Sequence, residues 1–159
     1  MRDMESLLDI PGEEVIMRTT TLAEWSDAGV LRELSVVVAR HRETTAEMLA
    51  LIGEADARRA YAPAGYSSMF AYCVGELHLS ENAAYKRIQA ARAARRFPAL
   101  LDAVAYGRLH LTAVGLIAPH LSHDNVAAWI EAATHRSQSD IEVWIRGQLA
   151  ARARGAGSW

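Results

Sequence analysis

A single cysteine, Cys73, stands in the 159 residues of the chain. That excludes an intramolecular disulfide and any thiolate-rich zinc or iron–sulfur site, and it makes a reducing cytoplasm the expected compartment. No apolar run approaches the ~20 residues needed to cross a bilayer, so no membrane partner is expected. The acidic opening from Met1 to Glu14 has neither the positive n-region nor the apolar h-region of a signal peptide. No segment alternates polar and apolar residues for the length of a strand, which makes the expected fold class all-α. Internal repeats and low-complexity tracts are missing as well. Nor is there a global surplus of positive charge. The formal net charge is −2, so affinity for a polyanion would have to come from how charge is distributed. What is present, 51% hydrophobic and 23% charged residues, is an ordinary globular composition with enough chain for one domain and a real core.

Residues 1–20, with Pro11-Gly12 and the start of a threonine run, carry no lasting period and read as a mobile leader with at most a helical turn at Glu5 to Ile10. Residues 21–154 read as one helical domain and residues 155–159 as a frayed tail. Thr21-Leu22-Ala23-Glu24 has the form of a capping box. Leu31, Leu34, Val38, Thr45, Met48 or Leu49, Ile52 and Ala55 then recur every three or four residues, which predicts one long amphipathic helix from about Asp27 to Ala60. Its near-heptad stripe, interrupted near His41-Arg42, suits either this chain's own core or a homodimer formed in the manner of a short coiled coil. Pro63 and Gly65 should end it. Further on, Pro98 is expected at the first position of a helix and Gly107 as its C-terminal cap. Thr112, Ser122 and the box Ser139-Asp140-Ile141-Glu142 are expected to cap three more helices, the last running to about Arg152.

Residues 68–96 are the most telling segment. Ser67 or Ser68 should cap a short helix over Met69 to Leu77 whose inner face carries Met69, Phe70, Cys73, Val74 and Leu77; Leu79 plugs a turn, and Ser80 caps a helix starting at Glu81. In that helix Ala84, Ile88 and Ala91 form an apolar stripe, leaving Asn82, Tyr85, Lys86, Gln89, Arg92 and Arg96 on the other side. This is the pattern of a helix-turn-helix with an outward recognition helix. Asn and Gln can pair with adenine edges, Arg or Lys with guanine, and cations along the helix can neutralise phosphates. The expected DNA-binding residues are therefore Ser80, Asn82, Tyr85, Lys86, Gln89, Arg92 and Arg96. Local charge supports them: between His78 and His110, Lys86, Arg87, Arg92, Arg95, Arg96 and Arg108 face only Glu81 and Asp102, a surplus of about four, while Met1 to Ala60 is acidic by about five. The bland alternative is a solvated face on an alanine-rich surface helix.

The phrases from Ala60-Tyr61-Ala62-Pro63-Ala64-Gly65-Tyr66 through Cys73, Leu79-Ser80 to Arg92, Arg96-Phe97-Pro98, Gly107-Arg108-Leu109-His110-Leu111-Thr112 and Leu116-Ile117-Ala118-Pro119-His120-Leu121 together make the chain resemble the N-terminal region of a group of bacterial HNH endonuclease proteins. The likeness spans roughly Ser26 to Leu149. Leu79-Ser80 with its helix, then Gly107-Arg108-Leu109 and Leu111-Thr112, also resemble the helix-turn-helix of ParB-type partition proteins. The resemblance implies a helical DNA-associated module ahead of a metal-dependent nuclease module. That second module needs a base histidine, an acidic metal ligand, an Asn and a further His on a ββα finger. After Leu149 about ten residues remain, so the chain reads as a relative without the catalytic half.

The leading expectation is thus a non-enzymatic domain that binds double-stranded DNA, with no cofactor, no metal and no small-molecule substrate. The alternative is a protein-interaction or dimerisation module serving a separately encoded nuclease. A third reading, a residual metal-dependent nuclease, would use His120 and His123, but their spacing across Pro119 and Ser122 suits a capping loop better. Cys73 reads as a small core residue rather than a nucleophile.

Overall fold

The computed structural model describes residues 21–157, so the leader and the end of the tail lie outside the described residues. Cα packing divides the chain inside its longest helix, into one unit ending at Val38 and a second beginning at Ala39. Among the described residues every regular element is a helix: α1 (Asp27–Arg58), α2 (Met69–Gly75), α3 (Glu81–Arg96), α4 (Ala99–Ala105), α5 (Leu111–Ile117), α6 (Val126–Ala133) and α7 (Gln138–Ala156), with single 3-10 turns at Leu22–Glu24 and Ala118–His120.

In the first unit the capping box expected at Thr21 does not form. Leu22–Glu24 is a 3-10 turn without a side-chain cap, and Ser26 caps α1 instead, its Oγ accepting from the Gly29 N–H at 3.1 Å. Of the apolar stripe here Leu31 and Leu34 are exposed, Leu31 by 63%, as are the neighbouring Val30, Val36 and Val37, while Val38 is half-buried.

In the second unit the same helix is buried along Thr45, Ala46, Leu49, Ile52 and Gly53. It stops at Arg58, before Pro63 can act. Ala60 N–H reaches Ala55 O at 3.0 Å and Arg59 N–H reaches Asp56 O at 3.1 Å, the paired bonds of a Schellman closure with Arg59 in the left-handed region at φ 54°. The core gathers Leu49, Cys73, Leu100, Val114, Ile117 and Ile141, all fully buried. Alanines on α3 let neighbours come close, since Ala84, Ala90, Ala91 and Ala94 are buried beside Ile88. A Cβ on Gly53 of α1 would lie 3.2 Å from the Ala91 carbonyl oxygen, so this crossing depends on the missing side chain.

Several caps fall on other residues than expected. Pro98 sits at the N-cap of α4 rather than inside it. Gly107, at φ 74°, follows the helix end as expected, with Gly107 N–H to Val104 O at 3.0 Å and Arg108 N–H to Ala103 O at 2.8 Å. Thr112 does not cap α5. His110 does, its Nδ1 accepting from the Ala113 N–H at 3.1 Å, while Nε2 lies 3.2 Å from the Arg136 carbonyl. That acceptor role at Nδ1 places the proton on Nε2, which donates to Arg136. Ser122 does not cap α6 through its hydroxyl either. The Asn125 amide staples that loop, accepting from the Ser122 N–H at 2.7 Å and donating to the His120 carbonyl at 2.9 Å. Ser137, not Ser139, caps α7, accepting from the Asp140 N–H at 3.2 Å, and the helix runs on to Ala156, into the stretch expected to fray.

Candidate nucleic-acid interface

Two serines build the helix-turn-helix segment. Ser68 Oγ accepts from Ala71 N–H at 3.0 Å and starts α2; Ser80 Oγ accepts from Ala83 N–H at 3.2 Å and starts α3. Between them the chain folds back on α2, with Leu77 N–H bonded to Tyr72 O at 3.2 Å and Leu79 N–H to Cys73 O at 3.0 Å. His78 makes the reversal at φ 54°, a place where such turns often carry glycine. Tyr66 braces the end of α2: its ring stands 2.7 Å from where a Gly75 Cβ would be, and its hydroxyl meets a Glu76 carboxylate oxygen at 2.7 Å. Met69 and Cys73 face the core as expected, whereas Phe70 and Leu77 are exposed. Burial pushes the Cys73 thiol up, which suits a packed residue and not a nucleophile.

On α3, Asn82, Tyr85, Lys86, Gln89, Arg92 and Arg96 are all exposed along one face. The Ser80 hydroxyl is engaged in the cap. Tyr85 and Gln89 hold one another, the Gln89 amide donating to the Tyr85 hydroxyl at 2.8 Å. Arg96 places its guanidinium 5.1 Å from the Phe97 ring centre. No ion pair involves Lys86 or Arg96 among the described residues.

Arg92 is in a different state. Its Nε and Nη2 meet the two oxygens of Asp56 at 2.8 and 3.2 Å, a two-point pair with the end of α1. Arg95 bonds Glu54 at 2.5 Å, and Arg58 meets the same carboxylate group at 2.5 Å. The hydrogen bond from Arg92 holds the Asp56 carboxyl below its usual range, and the bonds from Arg95 and Arg58 do the same for Glu54. Asp56 in turn raises Arg92. Arg108 is paired with Glu131 at 2.9 Å. Three of the six cations between His78 and His110 are therefore matched by carboxylates from elsewhere in the fold, and the local surplus of about four shrinks to about one. Linear counting missed this because Asp56 and Glu54 lie 36 and 41 residues from their partners.

The His120 ring stacks on Trp129 at 5.4 Å, and His123 meets Phe97 edge-on at 5.2 Å. Among the described residues no three His, Cys, Asp or Glu side chains are placed to hold a metal ion, and no helix is long and apolar enough to cross a membrane. No protein-family model, curated protein or solved structure matches the chain.

Proposed function

We propose that the chain binds duplex DNA through α3 and does not cut it. The observation that carries this reading is the exposed face Asn82, Tyr85, Lys86, Gln89 and Arg96 on a helix capped by Ser80 and reached by a tight turn from α2. Such a face can enter the major groove, where Asn82 and Gln89 have the donor and acceptor pair that adenine presents and Lys86 and Arg96 reach phosphates. The sequence phrases resembling HNH-associated and ParB-type proteins point the same way. Arg92 is a poorer phosphate partner than its position suggests, because Asp56 already holds it. Replacing Lys86 and Arg96 together by Ala should weaken binding to all sequences and flatten its salt dependence, with the helical circular-dichroism spectrum kept; unchanged binding would remove α3 from DNA.

The uncovered stripe Val30, Leu31, Leu34 and Val37 supports a second element of the reading, a homodimer. Leu31, Leu34 and Val38 follow a heptad a/d spacing up to His41, with Val30 and Val37 beside them, which suits a short pairing with a second copy of the same helix. A dimer also adds the second recognition helix that one helix-turn-helix lacks, on half-sites about 34 Å apart. Sedimentation should report a dimer that Leu31→Glu with Leu34→Glu converts to monomer; a monomeric wild type would refute it.

A further inference from the structure

We infer that Glu54 and Asp56 at the end of α1 act as built-in stand-ins for DNA phosphate, masking Arg92 and Arg95 and holding down the affinity of the α3 face. The inference rests on the DNA-binding reading and concerns its regulation. The Asp56 carboxylate takes both Nε and Nη2 of Arg92, the fork that arginine also offers to two oxygens of a phosphate. Exposure differs across this pair: the Arg92 side chain is 63% exposed and that of Asp56 only 18%. The guanidinium therefore faces solvent, where a phosphate can approach, with the carboxylate set behind it. Arg95 and Glu54 are both about half exposed, and Glu54 also holds Arg58. Two carboxylates thus draw on three guanidinium groups beside the face proposed to meet DNA.

Exposed ion pairs of this kind are weak and salt-sensitive. A phosphate can exchange with the carboxylate, but the released anion then stays near the DNA and opposes it. Graded attenuation follows, not an on–off lock. The competing role for the pairs is purely structural, a brace between α1 and α3, and that role predicts no gain in affinity on removing the charges.

The test is Glu54→Gln with Asp56→Asn in the full chain, titrated against a random-sequence duplex at two salt concentrations. Both substitutions keep shape and remove charge. Binding about tenfold tighter at the lower salt, with a log–log salt slope steeper by about one to two, is the expected result. The gain should vanish when Arg92 and Arg95 are also replaced by Ala, which shows that it acts through those guanidinium groups even if the variants differ in stability. Affinity that is unchanged or weaker would overturn the masking and leave the pairs as a brace. Failure of both wild type and variant to bind any duplex would instead defeat the DNA-binding reading, and the masking with it.

Discussion

Gly107 should be among the least replaceable turn residues, and the loss on substituting it can be split into two parts. Its backbone lies at φ 74°, where an L-residue costs about 1 kcal/mol. A Cβ there would also meet the Arg42 guanidinium, 2.6 Å from Nη1, 2.7 Å from Cζ and 2.8 Å from Nε. Arg42 is exposed, so its flexible end can retreat from this position, at a further cost of about 0.5 to 1 kcal/mol for leaving its favoured rotamer. Gly107→Ala is therefore expected to destabilise by about 2 kcal/mol, which moves the urea midpoint down by about 1 M for a chain of this size. In an Arg42→Ala background only the backbone part remains, so the same substitution should cost about 1 kcal/mol, and the double-mutant cycle should give a coupling of about 0.5 to 1 kcal/mol. A loss below about 0.5 kcal/mol in the wild-type background, or equal losses in both backgrounds, would refute the reasoning.

Removing His110 should deprive α5 of its cap and the α6–α7 turn of its tie: His110→Ala should cost about 1 to 2 kcal/mol in thermal melts, and His110→Asn, which can still cap, should lose clearly less. Glu54 and Asp56 are held below their ordinary values of 4.5 and 3.8, so their contribution to stability is present above those values and lost as the pH falls through and below them. Wild type should then be more stable than Glu54→Gln with Asp56→Asn at neutral pH, and the two should converge in acid; a difference that persists well below pH 3.8 would contradict the sign.

What was legible in the sequence was what local residues decide. Ser68 and Ser80 start α2 and α3 as their hydroxyls predict, and the stripe Ala84, Ile88, Ala91 does turn inward. The displaced caps mark where distant parts intervene. His110 gains its place over Thr112 partly through the Arg136 carbonyl 26 residues away, and Ser137 competes with Ser139 as the start of overlapping capping patterns, a choice that spacing alone does not decide. The stripe on α1 runs from Leu31 to Ala55 with an interruption near His41-Arg42, yet most of it before the break is exposed and the part after it packs into the core. Periodicity tells which side of a helix is apolar and not what covers it. The same limit applied to charge, since Arg92 and Arg95 looked free until Asp56 and Glu54 were brought beside them by the fold.

The central claim, that α3 meets DNA, is tested most directly by comparing wild type with Lys86→Ala plus Arg96→Ala on one duplex between about 50 and 200 mM salt. Wild-type affinity should fall steeply over that range, and the variant should bind more weakly with a log–log slope shallower by up to about two, about 0.9 for each phosphate that the variant no longer neutralises. A wild type that ignores salt, or a variant with the wild-type slope, would contradict the account.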